Sequence, residues 1–290
     1  MFFPLPESRE FVGEFTLFHD ADGCLNLIGG QPLPFCAKRL TKPELSRLQE
    51  LGRRVDASPV SHFILNTGRS WATTSFLCDA IGSSKLCYAL VEHGSELWNV
   101  HSGSSVNLFD IACSSRIKEL PEALASKFYV NEMIKWFSKV GAKELCRGFG
   151  YSGPLKIEED KSWNLTFSVP NEIDDKVMFE QFRMLVERQP IFSETMFTFH
   201  HSRWNRSIDL MGAMDKGLGM AVVMEILGID ISQTVAIGDG LNDISMLERA
   251  GTPICPANAE ADVIALCRSK GVASSFGYIE ATINWLAEIQ

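Results

Sequence analysis

The sequence has no paired cysteine spacing, no excess of positive charge and no long apolar run, and each lack closes off a class of protein. Its eight cysteines stand at 24, 36, 78, 87, 113, 146, 255 and 267, with no Cys-x-x-Cys pair and no histidine beside them at ligand spacing. In a chain of 290 residues that scatter reads as free thiols in a reducing compartment, not as a disulfide framework or a zinc site. The formal charge of -9 argues against a general nucleic-acid binder, which needs a basic face to neutralise phosphates. A small phosphorylated substrate stays open, because it needs only a few local cations. No stretch approaches the roughly 20 apolar residues of a membrane span. The opening Met1-Phe-Phe-Pro-Leu-Pro-Glu-Ser-Arg9 has neither the basic start nor the apolar core of a secretion signal. The expectation is a cytoplasmic chain with no nucleic-acid or membrane partner. Internal repeats and low-complexity tracts are also missing.

What is present is a pair of acidic turns. Phe15-Thr-Leu-Phe-His-Asp20-Ala-Asp22-Gly23 is an apolar strand candidate that ends in two carboxylates one residue apart, followed by a glycine that permits a sharp turn. Carboxylates crowded at the carboxyl end of a strand repel each other unless a cation or a shared proton relieves them. An ordinary Asp-Gly turn capped by the earlier aspartate is the competing reading of this short stretch. A calcium loop is excluded, since the glycine comes too early and position twelve is Gln31. Thr234-Val-Ala-Ile-Gly238-Asp239-Gly240 repeats the pattern, and Asp243, four residues after Asp239, can share its side once a helix begins. In a parallel sheet the two strand ends share one rim. Four acids there imply a bound hard cation with oxygen ligands, Mg²⁺ foremost.

The rhythm of the chain supports that sheet. A helix is predicted from Thr41, with Glu44 completing a capping box and leucines at 45, 48 and 51. A strand over His62–Thr67 stops at Gly68-Arg69-Ser70, a helix runs toward Ile81, and Tyr88–Val91 reads as a third strand. From about Ser95 the order changes: a loop to Ser115, a helix over Pro121–Val140, and strands at Leu165–Val169, Thr195–His200 and Ser207–Met211, with a helix near Asp174–Arg188. The βα alternation resumes at Lys216. The reading is α/β: a doubly wound parallel-sheet core of residues 1–95 and 205–290, with residues 96–204 an inserted α+β module.

Asp20-Ala-Asp22-Gly-Cys-Leu, Thr67-Gly-Arg-Ser, Lys216-Gly and Gly238-Asp239-Gly-Leu-Asn242-Asp243, in that order, resemble the four signatures of the haloacid dehalogenase superfamily. The long insert resembles the cap of its Cof-type members, which include sucrose- and mannosylglycerate-type sugar phosphatases and a eukaryotic phosphomannomutase. Leu90-Val-Glu-His-Gly-Ser-Glu-Leu resembles the strand leading into that cap. One departure is Cys24, where the family usually has threonine.

The resemblance implies a Rossmann-like core, a Mg²⁺ cofactor and a small phosphorylated substrate. It makes Asp20 the nucleophile that forms an aspartyl-phosphate and Asp22 the general acid and base, touching the metal only through its backbone carbonyl. Thr67 and Lys216 are implied to contact the phosphoryl group, and Asp239 and Asp243 to complete the metal set with Asp20 and Asp22, directly or through water. Gly68, Arg69 and Asn242 are expected around the substrate. Arg203, in a polar cluster with His200, His201, Trp204 and Arg206, is the candidate reader of the substrate in the insert, where Trp163 and Asn164 also stand. The expected function is a Mg²⁺-dependent phosphatase of a sugar phosphate or phosphorylated glycoside. A phosphomutase using the same intermediate is the alternative enzyme, and a catalytically silent sugar-phosphate binder the non-enzyme alternative.

Overall fold

The computed structural model describes residues 14–26, 33, 39–193, 196–202 and 206–289. Its strands in chain order are β1 Phe15–His19, β2 Val60–Asn66, β3 Leu86–Val91, β4 Glu96–Asn99, β5 Ser104–Val106, β6 Lys156–Ile157, β7 Asn164–Ser168, β8 Thr198–Ser202, β9 Ser207–Met211, β10 Thr234–Ile237, β11 Thr252–Cys255 and β12 Val272–Ala273. The α-helices are α1 Lys42–Ala57, α2 Trp71–Ile81, α3 Leu108–Ala112, α4 Leu120–Trp136, α5 Ala142–Gly148, α6 Asp175–Glu187, α7 Lys216–Leu227, α8 Ile244–Arg249, α9 Ala261–Lys270 and α10 Tyr278–Glu288. The chain divides into two compact units, residues 1–106 with 216–290, and residues 107–215.

The first unit is built on one sheet in the order β12-β11-β10-β1-β2-β3-β4-β5. From β12 to β3 every pairing is parallel. All five residues of β1 are buried, histidine included, as expected for a central strand covered on both faces. The chain runs outward through β2 and β3 on one side of β1, then returns to place β10 on the other. The reversal of strand order beside β1 is where open α/β sheets bind their ligands. Thr41 caps α1 through the predicted box with Glu44, and Leu48, Leu51 and Val55 turn its apolar stripe into the core beside Phe15, Phe63 and Ile283.

The second unit has an antiparallel sheet in the order β6-β7-β9-β8. Leu165, Phe167, Ile208 and Leu210 project from one face into a core shared with Met133, Phe137 and Phe182. The residues alternating with them, Asn164, Thr166 and Asp209, are polar, as period-two geometry requires of the opposite face.

Three sequence expectations are corrected here. The segment read as loop after Ser95 holds β4 and β5, which extend the first unit's sheet antiparallel to β3. The sheet edge is therefore antiparallel, and the first unit runs to Val106 instead of residue 95. Likewise β9 pairs with β7 and β8, so residues 205–215 fold with the second unit, and the first resumes at Lys216. The helix expected to end at Val140 continues through a π-helical turn, Phe137–Gly141, into α5. The start of the strand read from Thr195 falls partly outside the described residues; β8 begins at Thr198.

Candidate active site

The site is assembled from the carboxyl ends of β1 and β10. The Asp20 N–H donates to the Ile237 carbonyl at 2.9 Å, carrying the ladder between these strands one step past their ends. The chain then turns at Gly23 with φ of +86°. A Cβ there would stand 2.1 Å from Asp239 Oδ2, so only glycine admits the second carboxylate this close. Asn26 Oδ1 accepts from the Gly23 N–H at 2.9 Å, and Asn258 Nδ2 donates to the Gly23 carbonyl at 3.0 Å, which fixes the turn from both sides.

Lys216, the first residue of α7, is completely buried. Its ammonium donates to Asp20 Oδ1 at 2.6 Å and to Asp243 Oδ1 at 2.5 Å. Asn66, the last residue of β2, steadies it by donating to the Lys216 carbonyl at 2.9 Å. The glycine after Lys216 has its own steric reason: a Cβ on Gly217 would lie 2.4 Å from the Ser245 carbonyl oxygen, so α7 and α8 approach only across glycine. The other oxygen of Asp243 accepts the N–H groups of Asp239 and Gly240, both at 2.9 Å. Its carboxylate thus ties the turn after β10 to the lysine.

The electrostatics follow from burial. Loss of water, then the nearby Asp243 charge, push Asp20 up to about 7 against the pull of Lys216. Asp239 rises well above the usual carboxylate range through burial and the charges of Asp20 and Asp243. Burial alone would pull Lys216 down, but Asp20 and Asp243 hold it above its ordinary value. His19 is pushed down to about 4 by burial; its Nδ1 donates to the Asp20 carbonyl and its Nε2 accepts from Thr282 Oγ1 at 2.8 Å. Burial and the carboxylates keep the Cys24 thiol protonated, and Cys24 Sγ donates to Asp239 Oδ1 at 3.5 Å.

Donor atoms of Asp20, Cys24 and Asp239 lie within 4.8 Å of one another. Two buried carboxylates that resist ionisation fit a hard divalent cation, which commonly takes one or two protein carboxylates and keeps its remaining positions for water and phosphate oxygens. The protonated sulfur of Cys24 is a soft donor that suits a hydrogen bond to Asp239 better than such an ion.

The other expected residues are placed as follows. Thr67 is fully buried one residue past β2, its hydroxyl accepting from the Arg69 N–H at 3.2 Å. Arg69 grips Asp22 with Nε and an Nη, both at 2.7 Å, and donates to the Leu33 carbonyl at 2.8 Å. The carboxylate expected to work as acid and base is therefore held in a bidentate pair. Gly68 lies against the ring of His93, and Asn242 reaches the same ring at 3.5 Å. Arg203 and Trp204 lie outside the described residues.

Residues 61–271 match the family model described as haloacid dehalogenase-like hydrolase. The chain belongs to the haloacid dehalogenase-like hydrolase family. It is 24% identical over 201 residues to the 5-amino-6-(5-phospho-D-ribitylamino)uracil phosphatase YcsE of Bacillus subtilis, covering 69% of this chain and 71% of that one. A phosphoglycolate phosphatase of Methanopyrus kandleri is 52% identical over 50 residues, 17% of this chain and 22% of its own length. The matches to two further phosphoglycolate phosphatases span 25% and 35% of those proteins. Among solved structures, sucrose-phosphatase from Synechocystis, in complex with sucrose and phosphate, is similar in fold with a TM-score of 0.61 at 18% identity, over 96% of this chain and 98% of that one.

Several parts of this haloacid dehalogenase-like hydrolase site escaped the sequence reading. Asn66, Asn258 and Thr282 carry no motif of their own, and His93 reads only as part of the strand leading into the cap, with no role in the site. The Arg69–Asp22 pair joins two short motifs that do not reveal their contact. For Asn66 alone there was a signal: a polar side chain closing a buried strand needs a partner at the strand end.

Proposed function

We propose that this haloacid dehalogenase-like hydrolase is a Mg²⁺-dependent phosphatase of small phosphorylated metabolites, foremost a sugar phosphate or phosphorylated glycoside. The observation that carries the reading is the buried set of Asp20, Asp239 and Lys216 at adjacent strand ends. Three buried carboxylates, Asp20, Asp239 and Asp243, around the single ammonium of Lys216 call for an added cation, and an anionic substrate supplies the charge to balance it. The phosphatase names of the relatives support a phosphate ester as the class of substrate.

Asp20 attacks phosphorus in line, forming an O–P bond as the ester P–O bond breaks, and becomes an aspartyl-phosphate. Lys216 balances the charge of Asp20 and of the phosphoryl oxygens. Asp22 gives its proton to the departing oxygen, then takes one from the water that attacks the phosphorus of the acyl phosphate. Asp20 and Asp239 would hold Mg²⁺, which would supply Lewis-acid neutralisation of the phosphoryl charge. Asp243 positions Lys216 and the turn after β10. Thr67 and Asn242 hydrogen-bond the phosphoryl group. Residues 107–215 are assigned substrate selection, supported by the polar sheet face of Thr166, Asp209 and His200 and by the buried ammonium of Lys161 beside them. The unpaired thiols of the described cysteines support a cytoplasmic setting.

A panel of phosphomonoesters assayed with Mg²⁺ and with a chelator tests the reading. Phosphate release from sugar phosphates that stops on chelation is expected. Release undiminished by the chelator, or none from any phosphomonoester, contradicts it, and isomerisation without release makes the protein a phosphomutase.

A further inference from the structure

The turn between β3 and β4 is built from the wrong residues for its backbone. The Gly94 N–H donates to the Val91 carbonyl at 3.1 Å, and the two residues between have φ of +48° at Glu92 and +58° at His93. Such a turn ordinarily takes Asn-Gly or Gly-Gly, because both central positions are left-handed. Here a glutamate and a histidine occupy them, and both are buried. Backbone strain kept in this way points to side chains the site requires.

The surroundings of His93 show what its side chain is for. A Cβ on Gly68 would lie 2.5 Å from His93 Cε1 and 2.6 Å from Nε2, so the ring rests directly on the backbone after Thr67. The His93 N–H donates to the Thr67 carbonyl at 2.9 Å, and the Glu92 N–H to the Arg69 carbonyl at 2.8 Å. On its other side, Asn242 Nδ2 lies 3.5 Å from His93 Nδ1, the amide N–H being the donor of that pair. Close by, a Cβ on Gly219 would stand 2.7 Å from Gly94 Cα, so the same turn also abuts α7, whose first residue is Lys216. One strained turn therefore touches the Thr67–Arg69 segment, the loop of Asn242 and the helix of the lysine.

We propose that His93 is a positioning residue that sets the spacing between the Thr67–Gly68 turn and Asn242, and with it the shape of the phosphoryl pocket. The inference rests on the phosphatase reading. His93 acts as a wedge: ring thickness fixes one gap, and the Nδ1 acceptor fixes the orientation of the Asn242 amide. Asparagine is the conservative replacement, because it tolerates the left-handed region and its amide can offer an oxygen acceptor near the position of Nδ1.

The experiment measures inorganic phosphate binding calorimetrically in Mg²⁺, with kcat and KM for the best phosphomonoester, in the full chain and its His93→Ala, His93→Leu and His93→Asn variants. In His93→Ala and His93→Leu the phosphate dissociation constant and KM are expected to rise about tenfold or more, as small misplacements of binding groups do. The thermal midpoint is expected to stay within a few degrees, and His93→Asn to recover most of the affinity. Phosphate affinity and KM that match wild type in His93→Ala and His93→Leu overturn the assignment. So does a loss that merely follows the thermal midpoint and is not recovered by His93→Asn. A wild-type chain that neither binds nor releases phosphate overturns the phosphatase reading itself, and the inference with it.

Discussion

Lys216 and Asp20, 196 positions apart in the chain, meet at 2.6 Å with the lysine side chain wholly out of water. An ammonium is not left in that position without anions, and the two it has, Asp20 and Asp243, belong to different strand ends. The lysine is thus a structural cross-brace, and in the proposed function it is also a charge for the phosphoryl group.

Replacing Lys216 by Met tests both roles. Two buried carboxylates would lose their shared cation, an uncompensated change of the kind that costs about 3–5 kcal/mol. Urea unfolding of the cation-free protein should show that loss, and kcat/KM should fall by about 10²–10³-fold. Full stability in the variant would mean that Lys216 is not the counter-charge of Asp20.

The raised carboxyls predict a pH-dependent response to the cation. A group whose pKa is higher folded than unfolded contributes its stability in acid and loses it as the pH climbs through the folded value. For Asp20 that window runs from 3.8 to about 7, and Asp239 is displaced in the same direction. Mg²⁺ should therefore raise the thermal midpoint more at about pH 8 than at about pH 6, and its binding should release protons. Asp239→Asn should raise the midpoint of the cation-free protein, at about 2–4 °C for each kcal/mol in a chain of this size, and abolish the Mg²⁺ increment. Equal increments in wild type and variant would remove Asp239 from the metal site.

Asp22 is assigned proton transfer, so its loss should depend on the leaving group. Asp22→Asn is expected to lower kcat on a sugar phosphate by about 10²–10⁴-fold. An aryl phosphate such as p-nitrophenyl phosphate, whose leaving oxygen needs no proton, should suffer much less in a single-turnover assay of the first step. An equal loss on both substrates would assign Asp22 to binding or folding through its pair with Arg69.

Much of this architecture was legible because it repeats simple devices. A β-branched or aromatic run followed by Asp and Gly marked β1 and β10, and Thr41 with Glu44 marked the start of α1. What escaped has physical causes. β5 is a short, exposed edge strand of Ser-Ser-Val, with too little apolar surface to show alternation. Val140-Gly141 read as a helix end, whereas a Cβ at Gly141 would come within 2.8 Å of Phe137 and Trp136, so that glycine serves packing. In the site, carboxylates at strand ends were visible, but their hydrogen-bond partners were not: Asp243, expected to hold the metal directly or through water, also has both oxygens engaged by Lys216 and backbone N–H groups. His93 stood in the motif leading into the cap, but the sequence did not show its contacts with Gly68 and Asn242, which come from residues distant in the chain.

The central claim is that the Asp20 carboxylate accepts the phosphoryl group. An acyl phosphate, unlike a free carboxylate, is reduced by borohydride, which would turn the aspartate into homoserine. Quenching turnover with borohydride and mapping the peptides by mass spectrometry should show homoserine at position 20 only when substrate and Mg²⁺ are both present. Vigorous turnover with position 20 unmodified, or undiminished activity in Asp20→Asn, would contradict the account.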